Sequence, residues 1–490
     1  MFPNKNINKQ WLWWLGLLAL DLVSFVIFGG FLANWVAVII VVLFAVVAWK
    51  NLAWAVVLLI TELVVASQGY WFSITVGGTA VSLRLAIFLV IMAAFLAREV
   101  AARDFAWLKD KVVRWWLLAG LAIVWGAVWG WVNNDFADWF LDLNGYLYIF
   151  AFLPLYRYRH EWMPKLLSVW LPVVLYLSFK TIILFYLYSH FTPEALDPIY
   201  HWIRDTGWGE ITYAGGNIFR IFSQSQIYLL IAAAFWAAGL LLYTDTKPLA
   251  YRFKAAHIGV ALVVMAGLLI SLSRSFWLGL VAGIFFAFVI GFWYKQTARQ
   301  KLVNVCVLLV LLVASSGLVL AVSHFPLPKP LGDATGFLLE RASVGTGEAA
   351  GASRLQLLGP LWQSVSKAWL LGSGFGSTVT YKTSDPRVVR GTAGASGIRT
   401  TYAFEWGYLD TWLKIGLIGL VLYLWWWLGL AYLAFKKIKR QPLAAAILVS
   451  VVAIAATNMT TPYLNHPLGI GALSVLLLFT HHEQIFEQPI

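Results

Sequence analysis

Arg220, Arg274 and Glu405 have the side-chain chemistry and the positions to build a reactive site. Arg220 precedes an apolar run, in Asn217-Ile-Phe-Arg-Ile-Phe-Ser-Gln-Ser-Gln226. Arg274 lies between two apolar runs with almost no loop around it, in Ser271-Leu-Ser-Arg-Ser275, and Glu405 opens a later run. Two guanidinium groups at one depth suit an anionic ligand, because they grip phosphate oxygens in bidentate fashion and keep their charge when partly dehydrated. A carboxylate within hydrogen-bond reach can accept a proton from a hydroxyl. Burial would raise the pKa of Glu405 and a neighbouring arginine would lower it, so its sign stays open. Simpler roles exist for each residue. An arginine can snorkel to lipid head groups, and a glutamate can serve as a salt-bridge partner or a helix N-terminal charge. For Arg274 the flanking Ser271, Ser273 and Ser275 favour a polar cavity.

The elements that carry these residues must be membrane helices. Of the 490 residues, 61% are hydrophobic and 12% charged, and the mean hydropathy is +0.78. A soluble domain is about one-quarter charged, so a water-soluble enzyme is excluded. The apolar runs are continuous and do not alternate, which argues against a β-barrel. Fourteen of them approach membrane length, and the one at 146–156 is short. The expected fold is an all-α polytopic bundle of about 12–14 spans. Four regions are expected: N-terminal helices (1–210), helices carrying the arginines (211–323), a long loop (324–404) and C-terminal helices (405–490). The first run lacks a small-x-small cleavage site and reads as a span, not a removable signal. Cys306 is the lone cysteine, which excludes a disulfide scaffold.

Charge sets the expected orientation. With the N-terminus inside, the inner loops hold 21 basic residues, and with the C-terminal tail they hold 7 acidic ones. Asp135, Asp138, Asp142, Glu194, Asp197, Asp205 and Glu210 fall outside. That is the positive-inside pattern with both termini cytoplasmic. The surplus inside covers the net charge of +13, so the excess reports topology. The long loop 324–404 is then extracytoplasmic. Its stretch Ser353–Leu371 has apolar residues at Leu355, Leu358, Leu361, Trp362, Val365 and Trp369, a face that suits the bilayer surface or the lid of a cavity. Gly372, Gly374 and Gly376 are expected to end that helix in a turn.

Other charges have local explanations. Asp135, Asp138 and Asp142 could place three carboxylates on one helical face for a divalent cation, although an acidic outer loop is the simpler reading. Asp21, Glu62, Lys180 and Lys414 lie within apolar runs and are functional candidates or mutual partners. Asp410 and Lys414 are spaced for an i,i+4 pair. The eight histidines show no metal-ligand spacing. Many of the 28 tryptophans belong to interfacial belts. Trp202, Trp208 and above all Trp406 are candidates for stacking on sugars.

Four elements resemble the bacterial O-antigen ligase and O-antigen polymerase superfamily. Arg220 with Ser223-Gln-Ser-Gln226 resembles its arginine element. Ser273-Arg274-Ser275-Phe-Trp-Leu-Gly279 is similar to its Ser-Arg element at a span junction. Ser353-Arg354-Leu355, with Trp362 and Leu371-Gly-Ser-Gly-Phe-Gly376, resembles its long-loop element. Tyr408-Leu409 through Gly416-Leu-Ile-Gly419 looks like the span that follows. The resemblance covers roughly residues 210–435 and implies a glycosyltransferase of the bacterial inner membrane, acting in lipopolysaccharide or other cell-envelope polysaccharide synthesis. The implied donor is a glycan on undecaprenyl pyrophosphate, and the implied acceptor is a glycan, lipid or protein hydroxyl. No cofactor, metal or nucleic acid is implied.

By that resemblance Arg220 and Arg274 hold the pyrophosphate and a base activates the acceptor. Ligases carry a histidine shortly before the glycine that aligns with Gly416. Glu405 stands there in this chain, with His466 as a possible substitute. Arg354, Lys367 and Arg387 are further candidates for phosphate or glycan contacts, and Trp406, Tyr408 and His466 for substrate binding. Direct displacement at the anomeric carbon would invert it, with the arginines stabilising the leaving group and no metal required. A lipid-linked glycan flippase or other transporter is the rival reading. Such a protein is expected to show related halves, broken helices and mid-membrane charges.

Overall fold

A computed structural model of the chain describes residues 7–76, 79–242, 255–294, 296–326, 349–383, 397–439 and 441–480. Arg387 lies outside the described residues. The N-terminal part comprises α1 (Ile7–Ile27), α2 (Leu32–Lys50), α3 (Leu52–Val65), the hairpin β1 (Ser73–Val76) and β2 (Thr79–Ser82), α4 (Leu83–Ala102) and α5 (Lys111–Asn133). Next come α6 (Phe136–Tyr146), α7 (Phe152–Arg157), α8 (Arg159–His190), α9 (Asp197–Asp205), the hairpin β3 (Glu210–Gly215) and β4 (Ile218–Phe222), and α10 (Ile227–Leu242). They are followed by α11 (Ala255–Ile270), α12 (Arg274–Gly291), α13 (Ala298–His324) and α14 (Ala349–Lys367). The chain closes with the pair β5 (Val379–Lys382) and β6 (Ile398–Thr401), α15 (Gly407–Phe435), α16 (Pro442–Thr457) and α17 (Pro467–Phe479).

Among the described residues, nine helices are long and apolar enough to cross a membrane, and α3, α11, α16 and α17 are shorter apolar helices. The chain is thus a helical, multi-pass membrane protein. The short run at 146–156 is explained by a broken segment in which a 3-10 turn (Leu147–Ala151) joins α6 to α7. Among the described residues, three two-stranded antiparallel pairs add to the all-α expectation. Close approach of α12 to α16 depends on Gly279, where a Cβ would run into Thr457 Oγ1 and the Ala453 carbonyl.

The expected amphipathic helix is α14, and it buries Leu357, Leu361 and Val365 against Leu413, Phe404 and Val379. Leu355, Trp362 and Trp369 are exposed. The glycines beyond it do more than stop a helix. Gly372, Gly374 and Gly376 have φ of +79°, +81° and +80°, a region open to glycine. They interlock with a break in α15 at Gly416, whose φ is +71°. The break frees carbonyls, and the turn satisfies them: Ser373 N–H donates to Leu413 O at 2.7 Å and Gly374 N–H to Lys414 O at 3.0 Å. Leu417 N–H returns a bond to Trp369 O at 2.8 Å, and Phe375 N–H donates to Gly126 O of α5 at 3.0 Å.

An ion cluster lies beside this knot. Lys414 Nζ is 2.5 Å from Asp142 Oδ1 and 2.6 Å from Asp410 Oδ1, with all three side chains buried. Gly376 N–H donates to Asp142 Oδ2 at 2.8 Å, and Asn465 Nδ2 donates to Asp410 Oδ2. The i,i+4 pair is therefore present. Asp142 belongs to this cluster and not to a cation site, while Asp135 caps the N-terminus of α6. No group of three or more candidate metal ligands occurs among the described residues. Lys180 pairs with Asp21 at 2.7 Å.

Gly416→Ala is expected to destabilise the protein by about 1–3 kcal/mol through its backbone geometry alone, and further because the added Cβ meets the Leu370 carbonyl. Gly359→Ala in α14, with nothing within 4 Å, is the neutral control. Lys414→Met leaves two buried carboxylates against no cation and is expected to cost about 3–5 kcal/mol. Heat-induced loss of monodisperse protein in detergent measures all three.

Candidate functional site

Arg220 and Arg274 come together at one turn. Arg220 sits on β4 opposite Thr212, and its Nε donates to Ser271 O at 3.0 Å. Its guanidinium lies 4.5 Å over the Phe222 ring and 3.8 Å from Glu210. Ser271 opens the turn between α11 and α12, and Leu272 holds a left-handed φ of +46° within it. Arg274 is the first residue of α12, where the helix N-terminus adds positive potential instead of offsetting it. The Arg220 guanidinium is thus held at the turn that leads into Arg274 and the N-terminus of α12, a position that favours anions.

The connection 458–466 ties this turn to the rest of the site. Ser275 Oγ lies 2.9 Å from Thr460 Oγ1 and 2.7 Å from Thr461 Oγ1. Asn458 Oδ1 accepts from Tyr463 N–H and Leu464 N–H at 2.8 and 2.9 Å, which fixes the loop. Tyr463 OH donates to Gln224 O at 3.1 Å, so the loop reaches the segment after Arg220. Gly407 fits against Asn458, where a Cβ would meet its backbone oxygen at 2.5 Å. That contact brings the start of α15 to the same loop.

Glu405 pairs with Arg354, and Trp406 Nε1 donates to the Arg354 carbonyl at 3.0 Å. Its ion-pair partner among the described residues is Arg354, not Arg220 or Arg274. The Glu405 side chain is 50% exposed, and an exposed pair contributes about 0–1 kcal/mol, so a ligand can displace it. Tyr408 OH donates to Ala455 O at 2.9 Å, which commits it to holding α15 on α16. Lys367 is exposed in the last turn of α14.

His466 Nδ1 accepts from Leu468 N–H at 3.3 Å and caps α17. In the neutral ring Nε2 then carries the proton, which makes His466 a donor and not a base. Burial, followed by the charge of Arg84, lowers its pKa to about 3. Trp202 and Trp208 are unavailable to sugars. Both are buried, and they flank Lys180 Nζ at 4.7 and 4.3 Å.

Two features escaped the sequence reading. Arg84 and Glu62 form a buried bidentate pair, with Nε at 2.9 Å and Nη2 at 3.0 Å from the carboxylate oxygens. Opposite charges at adjoining ends of consecutive apolar runs are the signal that was present. The second is the loop 458–466, a polar stretch between two apolar helices whose role shows only in its partners. Ser67 also ties α3 to the Arg220 segment: its N–H donates to Ser225 Oγ at 2.9 Å, and its Oγ accepts from Gln224 N–H at 3.2 Å. Compared with known proteins, the chain matches no family model and no curated sequence.

His466 carries a pH signature. A folded-state pKa of about 3 against an ordinary 6.5 means that the unfolded chain binds the proton more readily. The stabilisation is complete above pH 6.5 and is lost as pH falls towards 3. His466→Asn keeps a good capping acceptor and removes the titration. Thermal unfolding of this variant is expected to depend less on pH across that window.

Proposed function

We propose that the chain is a membrane glycosyltransferase moving a glycan from an undecaprenyl-pyrophosphate carrier to an acceptor hydroxyl. The observation that carries this reading is the bond from Arg220 to the Ser271 carbonyl, three residues before Arg274. It anchors one permanent cation at the turn that leads into Arg274 and a helix N-terminus. A pyrophosphate leaving group needs such a place, because its departure develops negative charge that positioned donors stabilise. In the proposed step the acceptor oxygen bonds to the anomeric carbon as the bond from that carbon to the phosphate oxygen breaks. The electron pair leaves with the pyrophosphate, and the hydroxyl proton passes to Glu405. Arg354 holds Glu405 until the acceptor arrives, and Trp406 gives the sugar a flat apolar surface. Inversion follows from the single displacement.

The proposal includes the orientation argued from loop charge. Both termini are cytoplasmic, the site faces the outer side of a bacterial inner membrane, and the donor lipid reaches it from the leaflet. The resemblance of the Arg220, Arg274, Arg354 and Gly416 elements to those of O-antigen ligases and polymerases supports this reading.

Purified protein supplied with a polyprenyl-pyrophosphate glycan and candidate acceptors tests it. Arg220→Ala or Arg274→Ala is expected to lower kcat by about 10²–10³-fold, and lysine at either position is expected to restore little, since it lacks the bidentate fork. Glu405→Gln is expected to lower kcat and remove the acidic limb of the pH profile. Full activity in both arginine variants overturns the site. Movement of the lipid-linked glycan across liposomes without a glycosidic product identifies a transporter instead.

A further inference from the structure

α14 lies alongside α15, and the two run in the same direction. Arg354 near the start of α14 meets Glu405 just before α15. At the other end Leu417 N–H donates to Trp369 O, and Ile418 N–H to Leu370 O at 3.3 Å. Leu417 lies ten residues into α15, about 15 Å at 1.5 Å per residue. The glycine turn also meets α5 at Gly126, seven residues before that helix ends at Asn133, about 10 Å along it. α15 has 29 residues and α5 has 23, so they span about 44 and 35 Å against a hydrocarbon core of about 30 Å. Centred in that core they project about 7 and 2 Å, which sets Trp369, the partner of Leu417, and Phe375, the partner of Gly126, each about 8 Å inside it.

The faces of α14 agree with that depth. Leu357, Leu361 and Val365 pack inward. Leu355, Trp362 and Trp369 recur every seventh residue on a second face, and each is at least half exposed. Leu370 and Leu371 beyond the helix are exposed as well. This apolar stripe is continuous with the lipid-facing sides of the neighbouring spans. Trp125 Nε1 of α5 donates to Leu371 O at 2.9 Å, beside exposed Leu121, Val128 and Trp129. Trp412 of α15 donates to Trp369 O at 2.7 Å and packs edge-on against Trp362 at 5.7 Å. Gln356, Gln363 and Lys367 form a third, exposed polar face. Irregular backbone at membrane depth is tolerated where protein buries it or water borders it, and the interlocked glycines satisfy the first condition.

We propose that residues 353–376 are a re-entrant element of the bilayer, with acyl chains against Leu355, Trp362, Trp369 and Leu371 and water along Gln356 and Gln363. The inference does not depend on the reaction the protein performs. It replaces a loop lying outside the membrane with one that dips into a leaflet and returns through the glycine turn.

Single cysteines on a Cys306→Ser background test it in nanodiscs of phosphatidylcholine. Trp362→Cys, Trp369→Cys and Leu371→Cys carrying a bimane label are expected to be quenched several-fold more by doxyl lipids than Gln363→Cys. Gln363→Cys is expected to react fastest with a water-soluble maleimide. Equal maleimide rates at all four positions with no doxyl quenching overturn the proposal. Disulfide cross-linking between copies at residue 362 without quenching also overturns it, by assigning the stripe to self-association. A lipid-phase carbene reagent on the native chain gives an independent readout: labelling within 355–371 is expected, and its confinement to the long spans overturns the proposal.

Discussion

Everything near the site leans on the exchange of backbone hydrogen bonds between the break in α15 and the glycine turn. A helix broken at Gly416 inside a membrane protein strands carbonyls that lipid cannot satisfy. Ser373 and Gly374 N–H groups take the carbonyls of Leu413 and Lys414, and α15 repays the bond through Leu417. The exchange needs near contact between backbones, and glycine at 372, 374 and 416 is what permits it. Lys414 sits at the same point and draws in Asp142 from α6 and Asp410 from its own helix. Three segments distant in sequence are thereby fixed to one another.

From that fixed point the arginine turn is reached in two steps. Asp410 receives Asn465, and the loop around Asn465 meets Ser275 through Thr460 and Thr461. Arg274 is next to Ser275, and Arg220 bonds one residue before Leu272. The polar groups thus form a connected lattice at one end of the bundle, while the apolar helix faces are left to lipid.

The apolar runs were legible because span length and hydropathy are set by the bilayer and need no tertiary partner. The i,i+4 pair of Asp410 and Lys414 was legible for a similar reason: helix geometry alone makes them neighbours. The arginines could be picked out by their place at the ends of runs. What sequence could not supply was partner choice across long separations. Asp142 looked like one of three carboxylates of an acidic loop, and its true neighbour is 272 positions away. Glu405 had a salt bridge among its simpler roles with no partner named, and it pairs with Arg354. Trp202 and Trp208 looked like sugar platforms, and they cradle a buried lysine. The short strand pairs were hidden because strands of four to six residues between spans leave no periodic signature.

The ion cluster also bears on how the chain is made. Asp142 leaves the ribosome 272 residues before Lys414, a wait of roughly 15–50 s at 5–20 residues per second. Arg84 follows Glu62 by only 22 residues, so that pair can close as its hairpin enters the membrane. α6 has no such partner at hand, and a bare carboxylate cannot rest in hydrocarbon. The Asp142 carboxylate therefore lacks its cation until α15 has been made, so the C-terminal third of the chain completes the surroundings of α6.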